Sequence, residues 1–241
     1  MSDKQPLRER VWGRIDADPA VRRAPGAVGR IPNYVGAEEA ARRLAEQPEW
    51  QRARVLKMNP DSPQLWLRAR AIEQGKLVYM AVPKLTQGLP FIALERSKLE
   101  VSALDAASID GAARHGEPVA LEQMLAIDLI VCGSVAVNGE GVRIGKGGGY
   151  ADIEYALLAE LGRVTEETVI ATTVHDLQVL DEALPETTHD FRVELIATPT
   201  RVLRCARVAR PSGIVWEDLD AAKVASIPAL AARAAGRLTP R

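Results

Sequence analysis

The stretch IDLIVCGSVAVNGEGVRIGKGGGYADIEYALLAELG, residues 127–162, carries the pattern that decides the fold. It opens with an apolar run at 127–137 that is typical of a buried strand, and Asn138-Gly139 then predicts a hairpin turn. A glycine-rich loop at 143–149 leads into a helix that ends at Gly162. The apolar residues of this helix recur at helical spacing, namely Ile153, Ala156, Leu157 and Leu161.

Strands and helices alternate along the rest of the chain as well. Helices are predicted at 3–15, at 37–47 and in a segment that ends at Gln74, while 84–126 looks irregular with some helix. Further strands are predicted at 54–59, 77–82, 167–174, 192–197 and near 201–207. The alternation predicts an α/β fold with a mostly parallel sheet and helices on both faces.

The length of the chain fits one large α/β domain. We expect a single domain over residues 1–241, with a helical N-terminal arm at about 1–30 and an Ala-rich C-terminal tail at about 221–241. The composition excludes several classes of function. A net charge of -1 argues against nucleic acid as the main ligand, and two cysteines with three histidines form no zinc pattern.

No apolar run in the sequence approaches a membrane span, which needs about 18 residues. The expected protein is therefore cytoplasmic, a monomer or homodimer, with a small molecule as its partner. It is expected to bind neither nucleic acid nor membrane.

The glycine-rich loop is predicted to bind phosphate. Free backbone N–H groups and the helix dipole attract anions where a strand leads through a loop into a helix. Three consecutive glycines, Gly147, Gly148 and Gly149, let the backbone approach phosphate oxygens, and Arg143 and Lys146 add positive charge. The alternative is a flexible connection whose lysine is solvated.

Asp152 lies in the first turn of the helix after this loop. A carboxylate there ordinarily compensates the helix dipole. Beside a bound polyphosphate it would repel the ligand unless a cation lay between them, and Mg²⁺ is usually held by one or two carboxylates together with phosphates. If the loop binds phosphate, Asp152 is thus a candidate Mg²⁺ ligand.

Two lysines follow or end predicted strands at the edge where α/β proteins bind ligands. Lys57 and Lys84 could bind a carboxylate or phosphate of the substrate. The alternative for each is an exposed, solvated side chain.

Residues 143–152 resemble the Arg-Leu-Gly-x-Gly-x-Gly-Tyr-Tyr-Asp loop of the 5-formyltetrahydrofolate cyclo-ligase family, with Ile144 and Ala151 as departures. Lys4 and Arg8 are similar to the family's N-terminal Lys-x-x-x-Arg, and residues 184–194 are similar to the stretch before a late strand. The resemblance covers residues 4–203. It implies a three-layer Rossmann-like fold, in agreement with the alternation of strands and helices.

A closer resemblance is to the divergent branch of the family that includes the methenyltetrahydrofolate synthetase domain-containing proteins. Five segments are similar to that branch: Ile31–Tyr34, Gly133–Val137, Gly145–Tyr155, Val174–Asp176 and Thr198–Val202. A link to thiamine metabolism has been proposed for this branch. The resemblance therefore leaves three functions open: a cyclo-ligase, a nucleotide-binding paralogue with another, thiamine-related substrate, and a non-catalytic ligand-binding or regulatory protein.

For a cyclo-ligase, the resemblance implies that ATP drives the conversion of 5-formyltetrahydrofolate to 5,10-methenyltetrahydrofolate, with ADP and phosphate as products. Arg143 and Lys146 would be catalytic, Asp61 would contact the substrate, and Asp152 and Glu194 would hold Mg²⁺. The implied ATP-binding residues are Lys4, Arg8, Gly145, Lys146, Gly147, Gly148, Gly149 and Tyr150.

Overall fold

The computed structural model describes residues 4–238, and these residues form two sheets surrounded by helices. The strands are β1 (Val55–Met58), β2 (Leu77–Ala81), β3 (Phe91–Leu94), β4 (Glu117–Val119), β5 (Leu129–Cys132), β6 (Ala136–Asn138), β7 (Arg143–Ile144), β8 (Val169–Thr173), β9 (Val179–Leu180), β10 (Leu195–Ala197) and β11 (Val202–Arg204). The α-helices are α1 (Gln5–Ala17), α2 (Ala37–Ala45), α3 (Pro48–Arg52), α4 (Leu65–Glu73), α5 (Ala103–Ala106), α6 (Ile109–His115), α7 (Tyr150–Glu160), α8 (Ala221–Ser226) and α9 (Pro228–Leu238).

The large sheet has eight strands in the order β11-β10-β8-β5-β1-β2-β3-β4. The five strands from β10 to β2 run parallel to one another, and β3, β4 and β11 are antiparallel additions at the two edges. This confirms the predicted α/β fold with a mostly parallel sheet. The carboxyl ends of all five parallel strands lie at the same end of the sheet, and a ligand site is expected there.

Helices cover both faces of the large sheet. Alternate residues of β2 enter two separate cores: Val78 and Met80 pack with α2 to α6, while Tyr79 and Ala81 belong to the core that contains α7 and α9. The alternation follows from the period of two along a strand. Because both faces are covered, the central strands are mostly apolar, as in β5, where all four residues are buried.

The apolar run at 127–137, predicted as one strand region, divides between the two sheets. Gly133 follows β5, and β6 then joins a three-stranded sheet of order β7-β6-β9. A Cβ on Gly133 would lie 2.7 Å from Asp61 Oδ2 and 2.9 Å from Ile31 Cγ1, so a larger residue here would have to displace these two side chains. Asn138-Gly139 forms the predicted hairpin, because β6 and β7 pair antiparallel.

The region 84–126 was expected to be irregular with some helix, and this expectation was wrong for two strands, β3 and the edge strand β4. The sequence of β4 is Glu-Pro-Val, which shows no alternation of apolar and polar residues. The pairing of β4 with β3 therefore comes from tertiary structure and not from a local pattern.

Both ends of the described chain pack against the protein. In α1, Val11 and Ile15 are fully buried in a core shared with Val135 and Ile144, next to the small sheet. In the Ala-rich C-terminal region, α8 and α9 pack beside α7, and Leu230 is fully buried.

Arg68 of α4 fixes the loop that follows β1. Its guanidinium is buried and donates to the carbonyl oxygens of Asn59 (2.7 Å), Asp61 (3.0 Å) and Ala107 (2.9 Å). Burial lowers its pKa to about 10, and the charge of Asp61 opposes that decrease, so the side chain stays charged at neutral pH. One buried cation thus holds the backbone that carries Asp61 at the carboxyl end of β1.

We expect Arg68→Met to lower the free energy of unfolding by about 3 kcal/mol, because buried carbonyl groups lose charge-assisted donors. Denaturant unfolding of Arg68→Met and wild type measures this difference. The control is Arg70→Met on the same helix, whose side chain is only partly buried. Equal losses in the two variants would contradict the assigned role of Arg68.

Candidate functional site

A cleft of about 530 Å³ opens at the carboxyl ends of β1, β2 and β5. The glycine loop and the first turn of α7 form one wall, and a segment between residues 24 and 33 forms the opposite wall. The charged residues that line it are Arg30, Asp61, Lys84, Arg143, Lys146, Asp152 and Glu154. Nine of the sequence-predicted site residues line this cleft: Asp61, Lys84, Arg143, Gly145, Lys146, Gly148, Gly149, Tyr150 and Asp152.

The glycine loop connects β7 to α7, as predicted. Gly147 has φ +105°, and Gly149, the N-cap of α7, has φ +67°. Residues with a side chain rarely adopt these backbone conformations. No side chain caps this helix N-terminus among the described residues. The first N–H groups of α7 thus remain available for an anion.

Arg143 and Asp152 join the two ends of this loop. Arg143 Nη2 donates to Asp152 Oδ1 at 2.5 Å, and the guanidinium lies 4.2 Å from the ring centroid of Phe191. Burial opposes the charge of Arg143, but the carboxylates of Asp152 and Asp190 hold its pKa above the ordinary value. Arg143 is therefore a permanently charged group buried directly beneath the loop.

Lys146 reaches across the cleft to Asp61. Its Nζ lies 2.9 Å from Asp61 Oδ1, while the Lys146 side chain is 43% exposed and that of Asp61 13% exposed. An ion pair with one partner this exposed contributes little stability. Lys146 can therefore exchange Asp61 for an anionic ligand at small cost.

Helix α1 brings Arg8 to the other side of the loop. Arg8 Nε donates to the carbonyl oxygen of Gly145 at 2.7 Å, and its guanidinium carbon lies 3.6 Å from the position of a Cβ on Gly147. Lys4 forms an ion pair with Asp190, whose pKa is lowered by Lys4 against the effect of burial. Of the two predicted N-terminal residues, Arg8 therefore contacts the loop directly, and Lys4 is held by Asp190.

Lys57 was predicted to bind a carboxylate or phosphate of the substrate, but in the structure it contacts a carboxylate of the protein. It is buried and forms an ion pair with Glu154, while Asn59 Nδ2 donates to Glu154 Oε2 at 2.9 Å. Glu154 lines the cleft and Lys57 does not, so Lys57 acts on the site through Glu154. The signal was present in the sequence, because a charge within an apolar central strand or an apolar helix face needs a buried partner. Lys84 is exposed at the cleft.

The structure does not bring Glu194 together with Asp152 at the cleft. Glu194 pairs with Arg207 and Arg210 and directly precedes β10, at the amino end of a parallel strand. The glycine loop and Asp152 belong to the opposite, carboxyl-end side of the sheet. Within residues 4–238, no group of three or more His, Cys, Asp or Glu side chains is arranged to hold a metal ion.

A second cavity of about 400 Å³ lies on the other side of the glycine loop, where it meets the C-terminal segment. Lys223 of α8 donates to the carbonyl oxygen of Gly148 at 2.7 Å, and its ammonium lies 3.5 Å from the ring centroid of Tyr150. One face of Tyr150, the predicted partner of the nucleotide, is thus covered by Lys223. No local sequence signal marks this lysine, which lies in an Ala-rich segment.

Comparison with known proteins identifies a family whose model matches this chain and curated proteins that are similar to it. A model of the 5-formyltetrahydrofolate cyclo-ligase family matches residues 2–199. The methenyltetrahydrofolate synthase domain-containing protein of Mus musculus is 39% identical over 232 residues, which cover 94% of this chain and 62% of that protein. Its counterpart from Homo sapiens is 35% identical, with 94% and 60% covered. The chain thus spans about six tenths of the length of these curated relatives.

The NMR structure of 5,10-methenyltetrahydrofolate synthetase from Aquifex aeolicus has the same fold. The TM-score is 0.54 at 21% sequence identity, and the match covers 86% of this chain and 94% of that chain. In the part of the chain that the structure describes, we find no helix with the length and apolar character needed to cross a bilayer.

We expect Gly147→Val to reduce the affinity for inorganic tripolyphosphate at least tenfold, because valine at φ +105° would distort the loop beside Arg8. Isothermal titration calorimetry measures the affinity. The matched control is Gly139→Val at the hairpin turn, where a Cβ would meet no atom within 4 Å. Unchanged affinity in folded Gly147→Val would mean that the loop does not bind phosphate.

Proposed function

The chain belongs to the 5-formyltetrahydrofolate cyclo-ligase family, and from that premise we propose that it is an ATP-dependent cyclo-ligase acting on a reduced folate. The proposed reaction converts 5-formyltetrahydrofolate to 5,10-methenyltetrahydrofolate and ATP to ADP and phosphate. The observation that carries the proposal is the glycine loop at the N-terminus of α7, with Arg8, Arg143 and Lys146 around it. Such a loop suits the polyphosphate of a nucleotide.

The cationic side chains would bind and orient the phosphates. Bound ATP supplies a phosphoryl group that activates the formyl oxygen. Lys146 is exposed enough to turn from Asp61 to a phosphate oxygen, whereas Arg143 is fixed by Asp152 and offers a stationary charge. Cations already held in place at the transferring group stabilise charge that develops during the reaction.

The same exchange would prepare the cleft for its second substrate. When Lys146 turns to a phosphate, the carboxylate of Asp61 becomes free to accept a hydrogen bond from the substrate. Lys84, exposed on the opposite side at the end of β2, suits the carboxylates of a folate tail. Both residues retain the substrate-binding role proposed from the sequence.

The donor set of the cleft fits Mg²⁺. Asp152 lines it, and one carboxylate together with phosphate oxygens gives the kind of oxygen donor set that Mg²⁺ prefers. Asp152 would hold the ion together with phosphate oxygens, as Asp152 lies in the first turn of α7 beside the loop. Glu194 is not proposed as a ligand, because two arginines already neutralise its carboxylate.

Purified protein with ATP, Mg²⁺ and 5-formyltetrahydrofolate is expected to form the methenyl product, which absorbs light at a wavelength where the substrate does not. The measurement is the rise in absorbance, with ADP release quantified in parallel. Omission of ATP is the control and should abolish the rise. ATP binding without any methenyl product would contradict cyclo-ligase activity and favour a nucleotide-dependent paralogue with another substrate.

Asp152→Asn is expected to remove the Mg²⁺-dependent gain in ATP affinity while affinity without Mg²⁺ changes little. Calorimetric titration of ATP with and without Mg²⁺ measures both quantities in wild type and variant.

The matched control is Glu194→Gln, which should retain the Mg²⁺ dependence of wild type. Asp152→Asn also weakens the contact with Arg143, so its free energy of unfolding is measured as well. A loss of stability with unchanged Mg²⁺ dependence would mean that Asp152 serves only Arg143 and the helix N-terminus.

A further inference from the structure

A buried ion pair lies at the floor of the cleft. The side chains of Lys57 and Glu154 are 1% and 3% exposed, one on the central strand β1 and the other on α7. Asn59 also donates to Glu154, through Nδ2. Two charges removed from water cost free energy that an apolar pair of similar volume would not. Their position at the cleft therefore suggests a task beyond packing.

Only one of the two carboxylate oxygens of Glu154 accepts hydrogen bonds from the described residues. Both hydrogen bonds that it accepts end on Oε2, from Lys57 Nζ and Asn59 Nδ2, and Oε1 accepts none from the described residues. Glu154 is nevertheless one of the residues that line the cleft. Among the described residues, the buried side-chain atoms that lack a hydrogen-bond partner do not include Glu154 Oε1, so this oxygen is open to the cleft, where an N–H group of a ligand can replace water.

The surroundings select the kind of ligand group. Asp61 and Asp152 also line the cleft, but each is paired with a cation, Lys146 and Arg143 respectively, whereas Oε1 of Glu154 accepts no hydrogen bond from the described residues. Burial raises the pKa of Glu154, and Lys57 and Asn59 oppose that increase. The floor is therefore an acceptor site next to a site for anions.

We propose that Oε1 of Glu154 accepts a hydrogen bond from an amino or ring N–H group of the substrate, so that the cleft takes an amino-substituted nitrogen heterocycle at its floor. The inference rests on the proposed function in one respect: the aminopyrimidine ring of a reduced folate carries such groups. Lys57 and Asn59 are positioning residues that hold Oε2 and leave Oε1 toward the ligand.

Two double variants isolate the acceptor. Removing one charge alone would leave its partner buried and unpaired, so Lys57→Met is combined with either Glu154→Gln or Glu154→Leu. Both combinations lack the buried charges, but only the Gln variant retains a side-chain oxygen at this place. The probe is 5-formyltetrahydrofolate, titrated by calorimetry, and tripolyphosphate affinity is the control for an intact loop.

We expect the double variant with Leu to bind 5-formyltetrahydrofolate at least tenfold more weakly than the double variant with Gln, at equal tripolyphosphate affinity. Equal folate affinity in the two variants would overturn the proposal, since the pair would then be purely structural.

A second probe separates this inference from the proposed function. If wild type binds no 5-formyltetrahydrofolate, the cyclo-ligase proposal fails, and the same comparison is made with 2-aminopyrimidin-4-one by ligand-detected NMR. Absence of binding of this fragment to wild type would overturn the inference as well. Should the variants not fold, a structure of wild type with the fragment decides: a ligand nitrogen within hydrogen-bond distance of Oε1 supports the inference, and any other placement overturns it.

Discussion

The ion pair between Arg143 and Asp152 is the interaction on which the site depends. One residue lies in β7 and the other in the first turn of α7, so a single contact of 2.5 Å joins the two elements that flank the loop. Burial of the guanidinium against Phe191 excludes water from this contact and strengthens it. This contact therefore holds the loop in one position, although its glycines adopt left-handed backbone conformations.

The charges around this loop all have protein partners before any ligand arrives. Lys146 pairs with Asp61, Lys4 pairs with Asp190, and Lys223 donates to a loop carbonyl. In the proposed function, anion binding at the loop is thus an exchange of partners and not the filling of an empty positive pocket. The exposed pair exchanges easily, whereas the buried pair of Arg143 and Asp152 stays in place and keeps the geometry of the loop constant.

Local signals in the sequence were sufficient for the central part of the fold. Asn138-Gly139 favours a hairpin turn, and glycines tolerate the positive φ that the loop requires, so the hairpin, the loop and the start of α7 could be predicted from neighbours in the chain. The edge strand β4 and the contact of Lys223 with the loop depend on partners distant in sequence, which no local pattern reports. Lys57 lies between these cases: its burial followed from its strand, but its partner Glu154 could be identified only once β1 and α7 were seen together.

Residues from both ends of the described chain contact the glycine loop, through Arg8 on Gly145 and Lys223 on Gly148. Arg8 and Gly145 are separated by 137 positions in sequence, and Gly148 and Lys223 by 75 positions. Contacts between residues so far apart in sequence require the closure of a long stretch of chain, which costs conformational entropy. Lys223 also lies beyond the residues that match the family model. Order in the loop therefore depends on both ends of the described chain, and an anion that binds only the folded loop would stabilise the fold by mass action.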